Sequence, residues 1–414
     1  MSRLTAASAA DFVLATSDHA FAVDPYPDFA TLRAHAPLCR QPDGSYLLTR
    51  YADLLQVFGD PVLFSSDKRV DFKPRFGDSP LYEHHTTSIV FNDPPYHTRV
   101  RRLLAPFFAH RVLRQMEDSI ARMVDALLDR AAERGTIDIA QEFATVVPLN
   151  LIGELLGVPY DERNPLRAWA NAILGALEPV RSAAELATGN RAVEDFKAYL
   201  RTLIARKRAN PPGADAMDVL WALIEASEGD ADDADTLTEL EILHNSIFML
   251  NAGHDTTGSL IANGVDLLLR YPEQRARLQD EPALIKSAVE EMLRFESPLQ
   301  IGNRRTTAAT SLGGVDLAPG TFLHLGIAAA NRDPARFDQP ETFDIARNPN
   351  KHLAFAHGIH TCAGNSVARI EARIAFGKLL ERFPRFERAG PTVRPHRSRF
   401  RVVESLPVRL EPAS

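Results

Sequence analysis

Cys362 stands in the stretch Phe355-Ala356-His357-Gly358-Ile359-His360-Thr361-Cys362-Ala363-Gly364, and the residues after it, Asn365 to Phe376, read as an amphipathic helix. The loop 355–364 therefore feeds a helix N-terminus. Amide N–H groups without carbonyl partners and the positive end of the peptide dipoles favour negative charge there. A cysteine so placed is biased toward thiolate, the form that binds metal. Gly358 and Gly364 let the backbone turn sharply and lie close to a flat ligand. The ring of Phe355 can cover the sulfur side of that ligand. Taken alone, a lone cysteine also reads as a small buried hydrophobe.

Three further constellations carry chemistry. Ala252-Gly253-His254-Asp255-Thr256-Thr257 places an acid beside an alcohol. Gly253 thins the chain so that a flat group can approach, and a threonine hydroxyl can divert a backbone carbonyl and open a helical ladder. A buried aspartate is costly unless it is paired or used, which favours a functional role over an ordinary kinked core helix. His97 and Arg101 are four residues apart and share a helix face. Together they can make an anion site, although alone they read first as a solvated basic face. Glu291 and Arg294, three apart, can pair on one face, an interaction worth little on a surface.

These groups need elements to hold them. Thr238 and Glu241 form a capping box. It opens a long helix over about 238–270, apolar on most sides and so suited to a core. Asp93-Pro94-Pro95 opens the helix that carries His97. Helical patterns follow over 111–134, 137–156, 162–177, 183–208 and 282–295. Strands are expected at 45–50 and 392–412, with a hairpin over 312–325 turning at Ala318-Pro319-Gly320. Residues 64–92 show no clean period and read as a long loop or an obscured helix. Glu225–Asp235 is an acidic solvated loop, because Ala234-Asp235 breaks the calcium-loop spacing.

The chain has 414 residues, is 45% hydrophobic and carries 47 basic and 54 acidic side chains, a net charge of −7. The size permits two or three domains, and the charge does not suggest a nucleic-acid or anionic-membrane partner. Cys39 and Cys362 lie far apart, which suits a reducing compartment and excludes a disulfide framework. The N-terminus lacks a long apolar run and reads as neither secretory signal nor membrane anchor. A cytoplasmic protein is expected.

The spacing Phe-x-x-Gly-x-His-x-Cys-x-Gly resembles the haem-binding loop of the cytochrome P450 family. Ala252–Thr257 is similar to that family's distal helix motif, and Glu291-Met292-Leu293-Arg294 to its Glu-x-x-Arg motif. The likeness covers nearly the whole chain, from Tyr46 to the C-terminus. Ala356 departs from the usual glycine, and Ala363 and Asn365 from the commoner leucine and alanine. These changes leave the ligand in place and alter the hydrogen bonding around sulfur.

The resemblance implies a mostly α fold with a small β region and a single haem domain over 1–414. It implies haem b, iron protoporphyrin IX, with Cys362 as axial ligand, and a thiolate that promotes O–O cleavage. Ala252, Gly253, Phe355, Gly358, His360 and Gly364 would lie against the haem. His97, Arg101, Arg304 and His352 would meet its propionates, with Arg305 competing with Arg304. Asp255 and Thr256 would relay protons to dioxygen. Glu291, Arg294 and Arg347 would hold the scaffold. The implied activity is a monooxygenase that inserts one oxygen atom of dioxygen into a C–H bond of a small hydrophobic substrate, as hydroxylation or oxidative dealkylation. Phe72, Phe76, Val90, Phe91, Leu174, Phe248, Leu299, Ile301 and Phe400 would line its pocket with Ala252, and Gln300 would either reach the substrate or face its own backbone. Electrons would come from a separate ferredoxin or flavodoxin with its reductase, and the protein would be a monomer. Two other classes share the loop. A peroxygenase usually lacks the acid–alcohol pair, which this chain keeps. A haem ligand sensor would carry a partner domain, which the sequence does not display.

Overall fold

Successive strand residues point to opposite faces, so Leu47 and Leu48, both fully buried, mark a strand covered on two sides. On one side Leu47 packs with Phe21, Phe29, Leu32 and Ile301. On the other Leu48 packs with Leu54, Phe58, Phe64 and Leu353. Each such burial contributes about 1.5–3 kcal/mol. The computed structural model describes residues 3–108, 110–178, 182–213, 218–227 and 236–412. Most of the acidic stretch expected as a solvated loop, 228–235, lies outside them.

The chain is mostly α and divides into two compact units. The first comprises Met1–Ser65, Ile120–Val146 and Thr256–Ser414, the second Ser66–Ser119 and Val147–Asp255. The ten strands among the described residues all belong to the first unit: β1 Leu38–Arg40, β2 Tyr46–Leu48, β3 Phe64–Ser65, β4 Thr136–Asp138, β5 Ile301–Thr306, β6 Thr310–Leu312, β7 Val315–Leu317, β8 Phe322–Gly326, β9 Arg385–Arg388 and β10 Pro407–Glu411. The main sheet runs β1-β2-β8-β5-β3. Only its β2–β8 pair is parallel, with Leu47 opposite His324. A second sheet runs β4-β10-β9, and β6 pairs with β7.

Several sequence expectations are corrected. The hairpin turns at Gly313-Gly314, both left-handed with φ of 56° and 82°, rather than at Ala318-Pro319-Gly320. β8 therefore enters the main sheet. The helix expected over 137–156 splits into β4, a π-turn Ala140–Ala144 and a helix Val146–Leu155. Tertiary pairing of β4 with β10 overrides local helical pattern there. The unperiodic 64–92 region in fact holds two short helices, Arg69–Phe76 and Pro80–Thr87. Pro74 lies inside the first helix, and the Ser79 hydroxyl accepts from Tyr82 N–H at the start of the second.

The long helix is Glu239–Arg270. Its capping box is formed, with Thr238 N–H donating to Glu241 Oε2 at 2.8 Å and Glu241 N–H to Thr238 Oγ1 at 3.2 Å. It stays α-helical without interruption through Ala252–Thr257, so the expected opening of the ladder does not occur. Packing holds it. An added Cβ at Gly264 would lie 2.2 Å from Phe376 Cζ and 2.9 Å from Met292 Sδ. That contact fixes the helix Asn365–Arg382, which follows the cysteine, and the helix Ile285–Phe295, which carries Glu291, against the same turn of the long helix.

Candidate active site

The cysteine loop is tied down from both ends. Cys362 N–H donates to Phe355 O at 3.0 Å, and Thr361 N–H to Gly358 O at 3.0 Å. Asn365 Nδ2 donates to Cys362 O at 2.6 Å. Gly358 has φ of 73°, and a Cβ there would sit 2.3 Å from Phe58 O. Both facts demand glycine. Ala356 takes φ of 57°, the left-handed region in which a methyl group is strained. Cys362 itself is exposed.

Below the loop, Arg369 forms a bidentate pair with Glu290, at 2.6 and 2.9 Å, and lies 4.5 Å from the centroid of the Phe355 ring. His352 Nε2 lies 3.1 Å from Glu290 Oε2, while His352 Nδ1 accepts from Ala354 N–H at 3.2 Å. With Nδ1 accepting, Nε2 carries the proton and donates to the carboxylate. Burial alone would raise Glu290, but the hydrogen bonds from His352 and Arg369 outweigh it and hold the carboxyl at about 2. Both nitrogens of His352 are committed, which corrects its assignment as a propionate donor.

On β5, neighbouring arginines diverge because strand side chains alternate. Arg304 lies 5.4 Å from the Phe58 ring, beside the chain that touches Gly358. Arg305 lies against the turn at Gly320. Arg304 is thus the one near the cysteine loop. Leu299 pairs with Phe400 through an antiparallel bridge. Ile301 is corrected as a pocket residue: it is fully buried in the core with Phe29, Leu32 and Leu47. Gln300 Nε2 donates to Ser297 O at 2.6 Å, so it faces its own backbone.

Glu291 and Arg294 are both fully buried and form a bidentate pair, each contact 2.8 Å. Arg347 Nε reaches Glu291 at 3.1 Å. Asn350 Nδ2 and Asp344 N–H also donate to Glu291, each at 3.0 Å. The expected triad is therefore assembled, with a fourth side chain, Asn350, that spacing does not reveal.

In the second unit, His97 is buried and Arg101 half-buried on the helix Tyr96–Leu104. That helix is bound to the long helix by the Arg99–Glu241 ion pair and by Asn245 Nδ2 donating to Tyr96 OH at 2.9 Å. Phe72, Phe76 and Phe91 gather, with Phe72 centroids 5.3 Å from each of the other two. Val90 and Phe248 are half-buried and Leu174 is buried. Ala252 is half-buried and Asp255 buried on the long helix; Thr256, the next residue, is half-buried. At Gly253 an added Cβ would lie 2.7 Å from Ile152 Cδ1, so the space that the glycine opens is filled by this isoleucine.

Sequence reasoning missed Glu290, whose partners are far away in the chain, and Glu371, buried with Oε1 unpartnered and pushed up to about 8 by desolvation. It also missed the histidine group at His84, His85 and His244. Two observations test whether the residues fit a haem. The cysteine loop is held by the Cys362 N–H to Phe355 O and Thr361 N–H to Gly358 O hydrogen bonds, and Cys362 is exposed. Among the described residues no group of three His, Cys, Asp or Glu gathers to hold a metal. An iron bound at Cys362 must bring its remaining ligands with it, as a porphyrin does.

Comparison with known proteins agrees with this fit. Residues 62–400 match the family described as Cytochrome P450. The chain is 39% identical to cytochrome P450 107B1 of Saccharopolyspora erythraea, with 95% of this chain and 96% of that protein covered. It is 37% identical to a vitamin D(3) 25-hydroxylase of Pseudonocardia autotrophica, covering 86% of each. Among solved structures, a P450 in complex with acyl carrier protein ligated to hexadec-9Z-enoic acid superposes with a TM-score of 0.87 at 32% identity, covering 95% of this chain and all of that one. The chain belongs to the cytochrome P450 family. It is accordingly a haem-thiolate monooxygenase, an oxidoreductase that uses dioxygen, a hydrophobic substrate and electrons from redox partners. No helix among the described residues is long and apolar enough to cross a membrane.

Proposed function

We propose that Cys362 is the axial ligand of the haem iron, that His97, Arg101 and Arg304 hold the propionates, that His360 lies against the haem, and that 1–414 forms one haem domain. When bound, the haem supplies dioxygen activation and transfer of one oxygen atom to a C–H bond. The chain's own residues do the rest. The loop hydrogen bonds hold the thiolate in one orientation, and the helix beginning at Asn365 stabilises its charge. The carboxylate of Asp255 accepts a proton, and the hydroxyl of Thr256 passes it on. Phe72, Phe76, Val90, Phe91, Leu174, Phe248, Leu299 and Phe400 exclude water and orient an apolar substrate for hydroxylation or oxidative dealkylation. Glu291, Arg294 and Arg347 keep the chain before the cysteine loop in register.

What supports this reading is the match of residues 62–400 to the Cytochrome P450 family together with a cysteine loop in which Cys362 N–H donates to Phe355 O and Thr361 N–H to Gly358 O. A ferredoxin or flavodoxin with its reductase donates the electrons, and the protein works as a cytoplasmic monomer. The test is the spectrum of the reduced protein under carbon monoxide. A strongly red-shifted Soret band in wild type, lost in Cys362→His, is expected. The same band in both proteins would remove Cys362 from the iron.

A further inference from the structure

A string of imidazoles in the second unit has no part in the proton path above. His84 and His85 lie on the helix Pro80–Thr87, and His244 on the long helix. His84 Nδ1 and His244 Nδ1 are 3.2 Å apart, and His244 Nε2 lies 2.9 Å from Glu83 Oε1. Lys197 Nζ also reaches that oxygen, at 2.7 Å. Burial opposes ionisation of Glu83, but hydrogen bonds from Lys197 and His244 prevail and lower its carboxyl. A carboxylate only accepts, so His244 Nε2 carries the proton. Burial lowers His244 to about 4, so the ring is neutral at pH 7. Its bare Nδ1 then accepts from His84 Nδ1–H. Glu83 thus fixes both tautomers.

His85 is treated differently. Its ring lies 5.1 Å from that of His84, and its other neighbours are Phe72, Phe76 and Phe91, at 5.7, 5.4 and 5.6 Å between centroids. It is 2% exposed, and its Nε2 has no hydrogen-bond partner. Such an unmade bond carries a penalty, and a leucine or phenylalanine would fill the same space without it. Burial, with Arg75 and His244 nearby, lowers the ring to about 3. The imidazole is therefore neutral, able to give or accept one hydrogen bond but poorly suited to a carboxylate, which favours an imidazolium.

We propose that His85 is the polar anchor of the substrate cavity, forming one hydrogen bond through Nε2 with a neutral hydroxyl or carbonyl oxygen on an otherwise apolar substrate held among Phe72, Phe76 and Phe91. This inference rests on the reading of those phenylalanines as pocket residues. It makes His85 a specificity determinant, and selects oxygenated hydrophobic molecules over bare hydrocarbons and free acids.

The test is spectral titration of the ferric holoprotein with isosteric alcohol and methyl pairs: 2-naphthol with 2-methylnaphthalene, 1-dodecanol with tridecane, and cyclododecanol with methylcyclododecane. Wild type is expected to bind the alcohol of at least one pair about tenfold more tightly than its hydrocarbon. His85→Leu should abolish that preference and leave the hydrocarbon unchanged, while His85→Gln, which keeps a donor and an acceptor, should restore part of it. If His85→Leu fails to fold, His85→Phe takes its place, since it continues the aromatic group. No alcohol preference in wild type, including no binding of any alcohol, would overturn the proposal, as would a preference that survives in His85→Leu. Two controls separate this failure from failure of the parent reading. An absent red-shifted carbonyl band in wild type refutes the thiolate site instead, and dissociation constants unchanged in Phe72→Ala refute the pocket.

Discussion

Replacing Arg294 by leucine tests what holds the scaffold behind the cysteine loop. Arg294 is fully buried and makes five hydrogen bonds: two to Glu291 and one each to the carbonyls of Asn331, Pro340 and Thr342. Leucine removes all five and leaves Glu291, itself fully buried, with only its edge partners Arg347, Asn350 and Asp344 N–H. Breaking one side of a buried pair costs about 3–5 kcal/mol. Total stability is roughly 5–15 kcal/mol, so about a fifth or more is at stake. Arg347 lies at the edge of the network, and its bonds run mainly to the backbone carbonyls of Asp338, Gln339 and Thr342. Arg347→Leu should therefore cost about 1–2 kcal/mol. Urea unfolding followed by far-ultraviolet circular dichroism gives both values from the midpoints at constant slope. The double variant Glu291→Leu/Arg294→Leu should recover part of the loss, because no unpaired carboxylate remains. An Arg294→Leu cost below about 1 kcal/mol, or one equal to that of Arg347→Leu, would refute the claim that this buried pair is the centre of the scaffold.

Three other outcomes are expected. Ala356→Gly should stabilise the protein by about 1 kcal/mol: relief of the left-handed backbone yields roughly 1–2 kcal/mol, and the added freedom of the unfolded glycine takes back about 0.4–1; an unchanged urea midpoint would contradict this. Glu371→Gln should stabilise at neutral and not at acid pH. Burial raises the folded-state pKa of Glu371 from 4.5 to about 8, so its stability is complete below pH 4.5 and is lost as pH rises toward 8. The gain at pH 7 is roughly 3 kcal/mol, from about 1.4 kcal/mol per pH unit, and urea midpoints at pH 4.5 and 8 that shift equally would refute it. Thr256→Ala should divert reductant into peroxide, with product per reductant consumed falling at least about tenfold; unchanged coupling would remove Thr256 from the proton path.

Much of the candidate site is legible in the sequence because its signals are local. A capping box three residues apart, an acid–alcohol pair on one helix and a Glu and Arg on one face depend only on helical geometry, and each appears in the folded protein as spacing requires. The glycine at 358 belongs with them: its turn is written in its own φ of 73°. The carbonyl of Phe58 that also excludes a side chain there comes from far away in the chain. Partners chosen across such distances are what local spacing cannot encode. His352 looks like a propionate donor until Glu290 arrives, 62 residues away, and accepts its hydrogen bond. Ile301 reads as a pocket residue until Phe29 and Leu32 provide a core for it. Arg304 and Arg305 are interchangeable in sequence, and only the turn at Gly320 and the ring of Phe58 assign them different faces. His85 gives no signal in the sequence, because its meaning lies in three phenylalanine rings and a missing partner. The sequence by itself determined the long helix, since periodicity and spacing are properties of a few neighbouring residues, and its resemblance to the cytochrome P450 family carried the reaction class. Which side chains remain available to a ligand was decided only by the tertiary structure, because hydrogen bonds and burial are satisfied by whichever distant group packs nearby.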